Sequence, residues 1–384
     1  VIGLALLACE GDPPGDGDPT ATSTPPDPPS LVDVVVEGGE GSGRHLPGST
    51  VRVVATLDPT SAIVTGWHAT PPIELPLEWN GTIEVPEGGV TLGPDVTAVD
   101  VALEERTWTV AAGQRTVRLA AQAEPAGVVM FFHGASYSTA QLDEPAPRSV
   151  LLHLVHAGFT VVAVPSEAEV RAGTGGWDAS GGSVDHATVA ALWEHLAADG
   201  LAPPTAPRIA WGMSSGGQFA HAVGAALGLD AVVAYCAPGA ATDLRDTRAA
   251  TGWYLAAEDT TFPTAEADAR AAQVALAGRG VSTDLYVHPV TPVTPLRFTR
   301  IPGIDEPRSR ALAAALLDRG LAGEDGLLTV SGAEAGRAVA DLLAGDPAPV
   351  RTGILAEIEI LGADHELYDD AAARMVAFLR SAAR

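Results

Sequence analysis

Ile209-Ala210-Trp211-Gly212-Met213-Ser214-Ser215-Gly216-Gly217-Gln218-Phe219-Ala220-His221-Ala222-Val223 is the stretch that decides the fold of this 384-residue chain. Ile209 to Trp211 is a short apolar strand, and the residues from Gly217 onward read as a helix. A chain that passes so abruptly from extended to helical holds its central residue in strained angles, and glycines on either side remove the side chains that would clash. Ser214 is therefore presented at a sharp bend. Behind it, the helix N-terminus offers free N–H groups and a partial positive charge. Glycine and serine are abundant here, so the five residues Gly212 to Gly216 mean little without the strand before them and the helix after. Counted from Ser215, the upstream position is Met213 rather than glycine, so the bend centres on Ser214.

Working outward, strand-like runs alternate with helical stretches from Thr107 onward, the sign of a mostly parallel sheet covered on both faces. The strands are Val128 to Phe132, Phe159 to Val164, Ile209 to Trp211, Ala231 to Tyr235 and Trp253 to Ala256. Between them Ser149 to Ala157, Ser183 to Ala198 and Ser215 to Leu227 carry helical spacing, with Ser183 as an N-cap. The fold class predicted is α/β, a mostly parallel, doubly wound sheet.

Directly after Val128 to Phe132 comes His133-Gly134-Ala135-Ser136. Asp259 follows the strand Trp253 to Ala256, in Asp259-Thr260-Thr261-Phe262-Pro263. Together with the Gly212 to Gly216 bend, these segments resemble the α/β-hydrolase superfamily over about 107–384, nearest to secreted esterases of the dienelactone-hydrolase-like and polyester-depolymerase-like group. The resemblance implies that Ser214 is a nucleophile, with Ala135 and Ser215 giving backbone N–H groups to an oxyanion and Ser136 as the alternate donor. It gives His133 a structural role, holding its loop by a hydrogen bond. The acid it implies is Asp259; Glu258 is the runner-up, and Asp243 and Asp246 fit less well in their polar loop. Two histidines compete as the base. His288 lies inside the strand-like Thr283 to His288. His365 follows Ile358-Glu359-Ile360-Leu361-Gly362, read as a last strand and a glycine turn, and precedes a closing helix from Asp370 to Arg380. His365 is preferred, which requires an insertion between about 291 and 352. Tyr137, Trp177 and Ser136 are candidate pocket residues, with loop or core packing as the alternative for the two aromatics.

Helices at Ser309 to Leu317 and Ala333 to Leu343 make that insertion a cap or flank beside the site. Its Arg300-Ile301-Pro302-Gly303-Ile304-Asp305 is similar to a helix-hairpin-helix turn, but Asp305 replaces the second glycine. The net charge of −26 opposes a nucleic-acid partner. No His-Glu-x-x-His helix and no cysteine pair at ligand spacing occurs, so neither metal nor cofactor is implied. The partner expected is an ester, small or polymeric. The rival readings are an acyltransferase, a peptidase of the same fold, and an inactive surface-binding lipoprotein.

Residues 31–106 read as strand and turn: Val34 to Val36, Val51 to Val54, Thr82 to Val85 and Val99 to Val101, punctuated by Gly38 to Gly43 and Pro47-Gly48. The stretch is similar to small β-rich repeats of bacterial surface proteins and is taken as an all-β spacer or accessory module. Before it, Leu6-Leu7-Ala8-Cys9 resembles a bacterial lipobox, which implies lipid attachment at Cys9 and an extracytoplasmic, membrane-anchored protein. Residues 10–30 have the composition of a flexible tether. Cys236, at the end of the strand Ala231 to Tyr235, is expected to be an inert core thiol.

Overall fold

The computed structural model describes residues 30–382. Cys9 and the tether lie outside the described residues. Among the described residues no helix is long and apolar enough to cross a membrane.

The centre is an eight-stranded sheet. Its strands are β1 (Glu104–Val110), β2 (Gly113–Ala120), β3 (Val128–Phe132), β4 (Thr160–Ala163), β5 (Arg208–Met213), β6 (Ala231–Tyr235), β7 (Ala250–Ala256) and β8 (Thr283–His288). They lie in the order β8-β7-β6-β5-β3-β4-β2-β1. The pairs from β4 through β3 to β8 are parallel, while β1–β2 and β2–β4 are antiparallel. Central strands such as β3 and β6 are buried at every residue, as both-face coverage by helices demands. On one face Val129, Phe131, Trp211 and Tyr235 pack against α1 (Pro145–His156) and α10 (Ala372–Ala382). On the other, Met130, Phe132 and Ala210 pack against α3 (Val184–Ala198) and α4 (Ser215–Leu227). Period-two alternation thus sends neighbouring residues of one strand into two different cores. This is the α/β architecture expected from the sequence, with the serine bend at the end of its central strand β5. The short α2 (Glu167–Ala172) follows β4, and α5 (Ala241–Asp246) and α6 (Ala265–Ala277) flank β7.

The N-terminal module is all β, as expected. Val32–Val36, Gly43–His45, Ala62–Thr70 and Val90–Ala98 form one sheet; Gly39–Glu40, Thr50–Ala55 and Asn80–Glu84 form another. Val53, Val64, Trp67, Trp79 and Leu92 fill the space between them. Two details differ from the sequence reading. Val99 to Val101 is not a strand; Val99 and Val101 instead insert as loop residues into the core under α1. The large sheet also begins at Glu104, inside the range assigned to the module.

The insertion departs further. After β8 come α7 (Glu306–Asp318), α8 (Gly332–Ala338) and α9 (Ala348–Leu361). Phe298, Ile301, Leu312, Leu316, Val339, Ile354, Ile358 and Leu361 give this unit its own core. The strand expected at Ile358 to Leu361 is therefore the last turn of a helix. Ile354, Ile358 and Leu361 recur at helical spacing, and Pro349 sits in the first turn, where its missing N–H costs nothing. The last strand is β8, the one that carries His288. Arg300, read as part of a nucleic-acid-like turn, is buried beside Asp369, 2.5 Å away.

Candidate active site

Ser214 stands between β5 and α4 at φ 54° and ψ −119°. This left-handed region is costly for a side-chain-bearing residue, and packing holds it there. A β-carbon at Gly212 would run into the Gly216 carbonyl, and one at Gly216 into the Phe132 carbonyl. Both glycines are thus demanded by backbone approach. The bend is pinned by Ser214 N–H donating to Tyr235 O (2.9 Å) and Gln218 N–H to Ser214 O (2.9 Å).

The structure brings Ser214, His365 and Asp259 together. His365 Nε2 is 2.7 Å from Ser214 Oγ, and Nδ1 is 2.7 Å from Asp259 Oδ2. Asp259 is 7% exposed, and its second oxygen accepts the N–H groups of Thr261 (2.8 Å) and Phe262 (3.1 Å). This fixes the carboxylate and leaves one oxygen for the imidazole. Glu258, the runner-up, is exposed and contributes only its backbone N–H, to Ala363 O. Asp243 and Asp246 lie in α5 and take no part in this chain of contacts. His288 is buried, with Nδ1 2.8 Å from Asp370 Oδ2 and Nε2 2.8 Å from Ile360 O, and its ring stacks on Tyr368.

His365 reaches the site through α9 rather than from a strand. Beyond α9, Ala363 takes a φ of 51°. Asp364 Oδ2 accepts the N–H of Ala333 in α8, and the Phe262 ring lies 5.5 Å from the imidazole. The insertion therefore supports the loop that carries His365.

The loop after β3 is equally well held. His133 Nδ1 contacts Gly134 O (2.8 Å), Nε2 faces Glu169 Oε2 (2.9 Å), and the His133 carbonyl accepts Trp177 Nε1–H (3.0 Å). Gly134 N–H donates to Gln141 Oε1, and a β-carbon at Gly134 would press on Met213 and Tyr137. Ala135 and Ser136 are exposed at the tip. A β-carbon placed on Gly176 would lie 3.5 Å from Ala135 Cβ and 3.3 Å from Ser215 Oγ, so both residues lie against Gly176. Trp177 is not a pocket wall: it is buried, stacked on Phe219 and edge-on to Phe132. Tyr137 turns its hydroxyl to Glu366 Oε2 at 2.8 Å.

Sequence reading missed Glu366, Glu169 and the placement of Cys236. Cys236 is 0% exposed, at φ 48°, and its thiol reaches Glu366 O at 3.3 Å. It lies behind Asp259 and His365, close to both. One signal was available: Cys236 directly follows β6, neighbour of the serine-bearing β5, and the ends of parallel strands converge on such a site. Burial pushes the Cys236 thiol well up, Glu366 is raised mainly by burial, and Glu359 is pushed to about 7 by burial and by Glu366 and Asp364.

No family model matches the chain, and no curated protein matches it. Among solved structures it is similar to a dienelactone hydrolase from Anabaena variabilis (TM-score 0.39, 18% identity, covering 50% of this chain and 87% of that one). It is also similar to an esterase from Pyrococcus furiosus (TM-score 0.40, 15% identity, 57% and 93%). A third is an α/β serine hydrolase without a lid from Xanthomonas campestris (TM-score 0.37, 19% identity, 50% and 86%).

Proposed function

We propose that this protein is a serine esterase that cleaves carboxylic esters through an acyl-enzyme intermediate. The observation that carries the reading is one imidazole held at 2.7 Å from Ser214 Oγ on one side and 2.7 Å from a buried carboxylate on the other. In this reading Asp259 fixes the tautomer with the proton on Nδ1, so Nε2 presents its lone pair to the Ser214 hydroxyl. Ser214 Oγ attacks the ester carbonyl as its proton passes to His365. The oxyanion forms between the backbone N–H groups of Ala135 and Ser215, at the positive end of α4. His365 then gives its proton to the departing alkoxide. Water repeats the sequence against the acyl-enzyme, releasing the acid. The substrate is an ester, small or polymeric. We further propose a lipid at Cys9 as the membrane anchor, on the lipobox-like run that ends there.

Ser214→Ala tests the reading. We expect p-nitrophenyl ester cleavage to fall on the order of 10⁴-fold or more in kcat, and fluorophosphonate labelling to vanish from a wild type that carries it on Ser214. Turnover that survives in the variant removes Ser214 as nucleophile. A wild type that reacts with neither ester nor probe is an inactive scaffold.

A further inference from the structure

We propose that Cys236, Asp259 and His365 form an inhibitory site for a soft or borderline divalent cation such as Zn²⁺ or Cd²⁺, which disables the base when bound. The proposal rests on the reading of His365 as that base. A thiol sulfur, a carboxylate oxygen and an imidazole nitrogen from these residues all lie within 4.8 Å of one another. The imidazole atom beside Asp259 is Nδ1, 2.7 Å from Oδ2. A tetrahedral zinc ion with bonds of about 2.0–2.3 Å holds its ligands roughly 3.5 Å apart. The His365–Asp259 pair has to open by less than about 1 Å, and the sulfur, within 4.8 Å of the other two ligand atoms, has to approach by at most about 1.3 Å. Thiolate, imidazole and carboxylate together select zinc-like ions over magnesium or calcium, which prefer all-oxygen sites. The Glu366 carbonyl, 3.3 Å from the sulfur, is an oxygen at hand for a fourth position. Entry runs past His365, whose side chain is 19% exposed while Cys236 is sealed.

The inhibition follows from one proton. At rest the neutral imidazole carries its proton on Nδ1, and the Nε2 lone pair faces Ser214. A cation that takes the Nδ1 lone pair forces that proton onto Nε2, where the ring donates to Ser214 Oγ and has no lone pair left to receive the serine proton. The Cys236 thiol ionises as it binds, and its proton leaves to solvent. The buried thiol thereby acts as a ligand that the active site's own residues complete.

The test titrates Cd²⁺ into the full chain, reading the ultraviolet sulfur-to-cadmium charge-transfer band and the metal retained after desalting, and Zn²⁺ against ester turnover. We expect one cadmium per chain with the band, loss of turnover over the matching range of Zn²⁺, and recovery of both signals with a chelator. Cys236→Ala should lack the band, keep its metal-free turnover, and need roughly 100-fold more Zn²⁺ for the same inhibition. Cys236→Ser, nearly isosteric at this bend, should behave the same way and guards against a packing artefact. Inhibition undiminished in both variants, or cadmium bound without the band, overturns the proposal, as does a wild type that binds no cadmium. If the protein turns over no ester, the esterase reading fails on its own, and the band with its stoichiometry still decides the cation site.

Discussion

The Tyr137 hydroxyl donates a 2.8 Å hydrogen bond to Glu366 Oε2, joining the loop after β3 to the residue directly beyond His365. Glu366 is buried, and its other oxygen accepts the Leu367 N–H, so the carboxylate has little freedom. At the other end, the Tyr137 ring lies 3.0 Å from where a Gly134 β-carbon would be. The proposed oxyanion donor and the proposed base are thus braced against one another. Removing the hydroxyl in Tyr137→Phe should lower kcat by roughly tenfold with little change in KM, the loss of one hydrogen bond to a buried acceptor. Glu366→Gln should cost less, because an acceptor oxygen remains. In the double variant the two losses should fall well short of adding; simple additivity would show that the bond does not couple the loops.

His365→Ala and His288→Ala should fail in opposite ways. The first removes the group between Ser214 and Asp259 and should abolish turnover while leaving the unfolding midpoint nearly in place. The second leaves the Asp370 carboxylate buried without its 2.8 Å partner, a change that costs about 3–5 kcal/mol. Urea unfolding beside ester turnover separates the two. A stable but inactive His288→Ala would assign the base to the wrong ring.

The sheet was legible because its strands are apolar runs with clear ends, and the serine bend because its two glycines are required by backbone contact. Asp259 and His365 were singled out through the resemblance of their segments to α/β hydrolases, although the segment before His365 is a helix and not the expected strand. Glu357-Ile358-Glu359-Ile360 alternates like a half-exposed strand, yet Glu357 is as buried as Ile358. It is buried because Arg297 and Arg300 neutralise it, and they lie far away in sequence. No local period reveals such a partner. Trp177 follows Gly173 to Gly176, which suggests an open loop, whereas Phe132 and Phe219 draw the indole inward. The brace from Tyr137 to Glu366 spans 229 residues and has no local signature.

That buried Glu357 also gives the N-terminal module a structural role beyond that of a spacer. Arg297 Nε lies 2.6 Å and Arg300 Nη1 3.4 Å from its oxygens, Arg300 also meets Asp369, and both guanidinium groups lie over the Trp79 ring at 5.0 and 4.0 Å. Module, insertion and sheet domain meet there. Replacing Glu357 with Gln takes from Arg297 its contacting carboxylate and leaves Arg300 with Asp369, and we expect about 3–5 kcal/mol of destabilisation in chemical denaturation. Trp79→Leu should cost less, losing the ring face and keeping the ion pairs. If Glu357→Gln unfolds at the wild-type midpoint, the network contributes no net stability.

Titration of buried groups sets an expected pH course for stability. Burial depresses His153 and His221 to about 4 from 6.5, so between those values the unfolded chain holds more protons and stability falls as pH drops. Glu144 behaves in the opposite sense: burial, then the charges of Glu366 and Asp143, push it to about 8 from 4.5. The folded chain then holds the extra proton, so its contribution is complete below 4.5 and is lost as pH rises through 8. The two effects oppose each other between 4.5 and 6.5, and above 6.5 only the loss from Glu144 and similarly raised carboxyls remains. The thermal midpoint should therefore decline on the alkaline side. Glu144→Gln, which has no proton to lose, should reduce that decline, and Glu78 and Glu359, both raised to about 7, should account for the remainder. Melting curves at mildly acidic and mildly alkaline pH check this directly: an equal decline in wild type and Glu144→Gln would mean that Glu144 is ionised at little cost in the folded chain.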